Sequence, residues 1–233
     1  MKFRAPLFIL FILAVFVSCR KDDLPPAVLP VSGLLVANAS GEVFNIFQNG
    51  NRLNNEASLY PNGLTGYMTV VSGLQNYQFK RMGSPDVLIN TPLTLDTLRS
   101  YSMYVTGLTL DETFLLNDDF TPDTADVANV RFVNASPENI NLDLAVRNIV
   151  PKEDTTSVSV TTSITNIAFK SGSAFKGATA GDVELKILRA GSSSVIFTDT
   201  VTLQSGQGYT IFAKGRLSQG GDTAFGAGLI SNQ

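Results

Sequence analysis

Val36-Ala37-Asn38-Ala39-Ser40 returns, with little change, as Phe132-Val133-Asn134-Ala135-Ser136. The offset is 134 − 38 = 96 residues. Further along the chain Tyr67 matches Phe175, Gly73 matches Gly181, Gly83 matches Gly191, Tyr101 matches Tyr209 and Gly107 matches Gly215, all at an offset of 108. The second copy therefore carries 108 − 96 = 12 extra residues between Ser136 and Phe175. The polar stretch from Asn148 to Thr165 is where they fit best. Anchors in one order with a single insertion predict a duplicated unit, the sign of a repeat architecture.

Each copy reads as short strands. Leu34 to Ala37 and Val130 to Val133 are apolar or β-branched, and Val43 to Phe47 and Ile140 to Leu144 are strand-like, the latter alternating. Met68 to Val71, Tyr101 to Val105, Val183 to Leu188, Val195 to Phe197 and Tyr209 to Ala213 continue the pattern. Asn49-Gly50-Asn51 and Ala190-Gly191-Ser192 are turn signals between them. No stretch sustains a 3.6-residue period. The expected fold is all-β: two tandem immunoglobulin-like β-sandwich domains, 33–116 and 129–233, joined by an acidic linker at 117–128. Tyr101 and Tyr209 each open a late strand after a polar turn, where a tyrosine corner bonds its hydroxyl back to nearby backbone. Both are expected to be structural. Asn38, Ser40, Asn134 and Ser136 are expected to bond backbone where a strand exits into a turn. The Gly-rich end, Leu217 to Gln233, suits either a last hairpin or a free tail.

Ahead of the repeats stands an address. Lys2 and Arg4 precede an apolar run from Ala5 to Val17, interrupted by Pro6. That length suits the core of a signal peptide and falls short of the ~20 residues of a membrane span. Phe16-Val17-Ser18-Cys19 follows and resembles a lipobox, with Phe16 where leucine is usual. Residues 1–18 are thus expected to be a lipoprotein signal peptide, and Cys19, the only cysteine, the lipid-attachment site. Arg20-Lys21-Asp22-Asp23 resembles the export signal that sends Bacteroidetes lipoproteins to the outer face of the outer membrane, and it would equally serve as a solvated tether. Pro25, Pro26 and Pro30 stiffen the rest of a tether over 19–32.

Composition removes several chemistries. The 233 residues include no His, no Trp and one Cys, with a net charge of −3. A disulfide within the chain, a Cys/His zinc site and a Ser-His-Asp triad cannot be built. A mildly acidic chain is a poor partner for nucleic acid. No catalytic residue, cofactor or metal is expected, and the protein is expected not to be an enzyme. Asp111, Glu112, Asp118, Asp119, Asp123 and Asp126 gather between the copies. Their pattern lacks the Gly and terminal Glu of a calcium loop and reads as a solvated linker rather than a calcium site.

Val130-Arg131-Phe132-Val133-Asn134-Ala135-Ser136-Pro137, followed by Leu142-Asp143-Leu144, resembles the opening of the DUF4397 domain. Gly66 to Gly73 with Tyr77 resembles its central stretch, and the likeness extends over residues 33 to 215. In the first copy Gly41 stands where the family has Pro after the serine. The resemblance implies a β-sandwich and frequent export, and no activity. Together these readings predict a surface-exposed outer-membrane lipoprotein, held to the membrane by its N-terminal lipid and binding an unknown glycan or protein. A structural or accessory subunit of an envelope complex is the alternative, and a glycan-active enzyme a more distant one. Tyr60 and Phe114, if exposed on a concave face, would favour binding, and a broad apolar patch the accessory role.

Overall fold

The computed structural model describes residues 29–121, 126–150 and 158–232. Among them the chain is nearly all β, with two single-turn 3-10 helices. The first half supplies β1 (Val31–Asn38), β2 (Phe44–Gln48), β3 (Asn51–Arg52), β4 (Met68–Val71), β5 (Gly73–Arg81), β6 (Val87–Leu95), β7 (Ser100–Val105) and β8 (Thr113–Asn117). The second supplies β9 (Ala128–Asn134), β10 (Leu142–Asn148), β11 (Thr161–Ile167), β12 (Ser171–Gly172), β13 (Lys176–Ala178), β14 (Gly181–Arg189), β15 (Val195–Leu203), β16 (Gly208–Lys214) and β17 (Gly226–Asn232).

These strands form four sheets. Sheet I runs β3-β2-β5-β6, sheet II β4-β1-β7-β8, sheet III β12-β9-β16-β17 with β13 also on β9, and sheet IV β11-β10-β14-β15. Leu34, Val36 and Met103 of sheet II close over Phe44, Ile46, Tyr77, Phe79 and Ile89 of sheet I. Val130, Phe132 and Ile211 of sheet III close over Leu142, Leu144, Leu185 and Ile187 of sheet IV. Sheets II and III then pack against each other through a third apolar cluster, which gives the order I-II-III-IV.

That order explains the burial of individual strands. β2 alternates buried and half-buried residues, as expected of a sheet with one wet face. All seven residues of β9 are buried, as are Tyr101–Val105 of β7 and Gly208–Ala213 of β16, because sheets II and III are covered on both sides. The central pair in each is parallel: Val36 lies opposite Met103, and Phe132 opposite Ile211. These positions differ by the same 96 and 108 residues that relate the sequence copies. The β5–β6 hairpin shifts register between Phe79 and Lys80, and the β14–β15 hairpin at the matching Ile187 and Leu188. Gly83 and Gly191 turn these hairpins with φ of 74° and 71°, a left-handed conformation that glycine adopts freely.

Three boundaries differ from expectation: β1 begins at Val31, within the stretch read as tether, and β8 extends to Asn117 and β9 begins at Ala128, both within the stretch read as linker. The Thr-rich insertion contributes β11, an edge strand on β10, where the first half has only the two-residue β3. The C-terminal segment forms a hairpin, with β17 antiparallel to β16.

Candidate functional site

The Asn-Ala-Ser elements are structural fasteners. Asn38 is 1% exposed; its Nδ2 donates to Glu42 O at 2.7 Å and Leu59 O at 3.2 Å, while its Oδ1 accepts from Ser40 N at 3.0 Å and Ser40 Oγ at 2.7 Å. Asn134 donates to Ile140 O at 2.9 Å and Ile167 O at 3.0 Å, and Ser136 Oγ donates to Gly215 O at 2.8 Å. In each half the carboxamide pins the exit of the first strand to two neighbouring segments, a role short polar side chains fill at turns. Tyr101 Oη accepts from Asp96 N at 3.2 Å and Tyr209 Oη from Gln204 N at 3.0 Å, so both hydroxyls bond backbone five residues upstream.

The most concentrated polar chemistry lies in the seam between sheets II and III, as a closed circuit of hydrogen bonds. Arg131 Nε donates to Thr210 Oγ1 at 2.7 Å, Thr210 to Asn232 Oδ1 at 2.7 Å, and Asn232 Nδ2 to Tyr67 Oη at 3.0 Å. Tyr67 donates to Asp118 Oδ2 at 2.8 Å, and Arg131 closes the ring with an ion pair to Asp118 Oδ1. Ser102 Oγ also donates to Asp118, and Arg131 reaches Asn117 O at 2.8 Å and lies over the Phe175 ring. The side chains of Arg131 and Asp118 are 5% and 0% exposed. Burial, with the charge of Asp118 adding to it, pushes the Tyr67 hydroxyl well above the usual tyrosine range. Beside the circuit Tyr104 stacks on Phe114 with ring centres 4.8 Å apart and meets Phe212 edge-on at 5.6 Å. Phe114 is thus half-buried in the seam, while Tyr60 remains 56% exposed.

This corrects the solvated reading for Asp118 alone; Asp111, Asp119 and Asp126 are exposed. Asp118 is buried because Arg131, one strand away in sequence, needs a counter-charge inside an apolar seam. Asp119 pairs with Arg99. Glu112 accepts from Leu108 N and from Thr109 N and Oγ1, and the Thr109 hydroxyl is the main cause of its lowered pKa. Asp123 lies outside the described residues. Among the described residues no three His, Cys, Asp or Glu side chains stand close enough to share a metal ion.

Two broad surfaces face outward: the outer faces of sheets I and IV. On sheet I, Arg52 stands opposite Phe47, Phe47 opposite Gln78 and Gln78 opposite Asn90. Lys80 Nζ sits 4.5 Å from the centre of the Phe47 ring. On sheet IV, Glu184 holds both Lys186 at 2.9 Å and Arg147 at 3.3 Å. Beside sheet I lies an open recess of about 540 Å³ lined by Leu53 to Leu59, Leu64, Thr65 and Met68. Its polar residues serve mainly the fold: Asn54 accepts from Ile46 N at 2.8 Å, and Thr65 Oγ1 from Val36 N at 2.9 Å.

A DUF4397 domain, a domain of unknown function, is found at residues 32–145. The DUF4397 match takes in β1 to β9 and ends in β10. No curated protein matches the chain. Among solved structures, a leucine-rich repeat protein from Bacteroides thetaiotaomicron VPI-5482 is 14% identical over 78% of this chain, with a TM-score of 0.21. The overlap covers 25% of that structure's length, so this chain spans about a quarter of it. Cys19, the proposed lipid-attachment residue, lies outside the described residues. Among those described, no helix is long and apolar enough to cross a membrane.

Proposed function

We propose that this DUF4397-containing chain is a lipid-anchored, non-enzymatic binding module of the outer membrane, displayed on the cell exterior. In this reading residues 1–18 are removed, Cys19 carries the lipid, and tandem immunoglobulin-like sandwiches produced by duplication stand on the Pro-rich tether. The matched strand registers of the two halves support duplication, and Phe16 to Cys19 supports the anchor.

One observation carries the binding role. The seam consumes the inner sheets and the buried polar groups, and leaves two open, polar sheet faces of different chemistry. Ligand recognition then needs no moving parts, since both faces are fixed to one body.

A screen of the chain from Asp22 to Gln233 on glycan and matrix-protein arrays tests the reading. Reproducible binding at better than ~100 μM supports it. A blank from a folded sample would overturn it and direct the search to an outer-membrane partner by crosslinking.

A further inference from the structure

We propose that the outer face of sheet I is a platform for an acidic polysaccharide, bound through its carboxylates and its hydroxyls; this rests on the binding-module reading above. The strand registers place Arg52, Phe47, Gln78 and Asn90 in one straight row across four strands. At ~4.8 Å per strand the row is roughly 14 Å long, room for an extended oligosaccharide. Lys80 flanks Phe47 on one side, and Asn76, on the same face of β5, lies on the other.

The chemistry of the row is specific. Phe47 is half-buried and the Lys80 ammonium lies over its ring, 4.5 Å from the centre, so the ring fixes that cation on the sheet surface. Lys80 and Arg52 stand beside it, and neither has a carboxylate partner among the described residues. Arg52 Nε is buried without a hydrogen-bond partner there. The outward positions of β2, β3, β5 and β6 carry no Asp or Glu. Guanidinium and ammonium groups left unpaired next to an aromatic ring complement a carboxylate on a sugar. The carboxamides of Asn76, Gln78 and Asn90 supply donors and acceptors for hydroxyls.

Sheet IV is the control within the same chain. Where sheet I has Phe47 opposite Gln78, sheet IV has Ala145 opposite Lys186. Its cations are neutralised by Glu184. The fold thus tolerates Ala145 in the place of Phe47 and Leu188 in the place of Lys80, so neither residue is dictated by the architecture. Two cations on a chain of net charge −3 are too few for a nucleic-acid surface, which needs many phosphate contacts.

Full-length protein purified in detergent is titrated with polygalacturonate, neutral dextran and single-stranded DNA of matched charge. Polygalacturonate is expected to bind best, at better than ~100 μM, and to weaken as salt is raised. Arg52→Gln/Lys80→Gln and Phe47→Ala should each weaken it by about tenfold, the former with an unchanged melting temperature; Lys186→Gln should leave it within about twofold. Wild-type affinity in Arg52→Gln/Lys80→Gln, or dextran or DNA binding as tightly as polygalacturonate, would overturn the proposal. Binding of some other array member alone sinks this platform and leaves the binding-module reading standing. A folded protein that binds nothing sinks both.

Discussion

Asp118 and Asn232 occupy matching places at the ends of β8 and β17, and one hydroxyl, that of Tyr67, joins them across the seam. Asp118 N donates to Ser100 O, and Asn232 lies opposite Gly208, 108 residues on. Asp118 accepts from Ser102 and Asn232 from Thr210, again 108 residues apart. The environment is therefore shared, and the charge is not: only the first half contributes a carboxylate, to meet Arg131.

Loss of that carboxylate should be severe. Asp118→Ala leaves the Arg131 guanidinium buried and unpaired, which costs about 3–5 kcal/mol. Replacing both partners with apolar residues, as in Asp118→Leu/Arg131→Met, should cost much less than the sum of the single changes. Urea unfolding of the four proteins in this cycle measures the coupling, and additive costs would contradict a seam held by the pair.

Alkali should loosen the fold. Burial pushes the Tyr77 hydroxyl from 10.0 up to about 12, and raises Tyr67 and Tyr104 as well. Folded-state values above the unfolded ones mean that the unfolded chain releases its protons first. The contribution of Tyr77 is complete below about pH 10 and is lost as pH rises through about 12, and the raised Tyr67 and Tyr104 act in the same direction. Urea midpoints across that range should fall, and Tyr77→Phe should flatten the fall.

The tyrosine corners predict a stability effect without a binding effect. Tyr101→Phe and Tyr209→Phe each remove the acceptor for a backbone amide, at about 1 kcal/mol. Ligand affinity should stay within about twofold for both. A large loss of affinity at unchanged stability would reassign these residues to the ligand site.

Much of the fold was legible because the inner strands are written plainly. Val130 to Val133 and Tyr209 to Ala213 are unbroken apolar or β-branched runs, as strands buried on both faces require. The β5–β6 hairpin was harder to read: its outward residues Asn76, Gln78 and Lys80 dilute the apolar pattern, and Pro92 interrupts β6. The platform on sheet I exists only across strands, since Arg52, Phe47, Gln78 and Asn90 are neighbours through pairing rather than spacing. Asp118 was misread for a related reason. A run of acids looks solvated until Arg131 from the other half is seen to face it.

The C-terminal strand should matter to the whole body. An added Cβ at Gly228 would run into the Phe212 ring, which fills the seam beside Tyr104. Gly228→Ala should cost about 1–3 kcal/mol through overpacking. Truncation before Gly226 should cost more, since it uncovers β16 and removes Asn232 from the circuit. Melting temperatures of the two variants, read against the intact chain, check both.

The proposed role depends on where the chain is held, and fatty-acid labelling tests that most directly. Cells producing the full chain are grown with labelled palmitate and fractionated, beside cells producing Cys19→Ala. The wild-type protein is predicted to carry the label, to stay with the outer membrane and to be shaved from intact cells by added protease, while the variant loses label and membrane association together. Label retained in Cys19→Ala, or an unlabelled wild-type protein free of the membrane, would contradict the account.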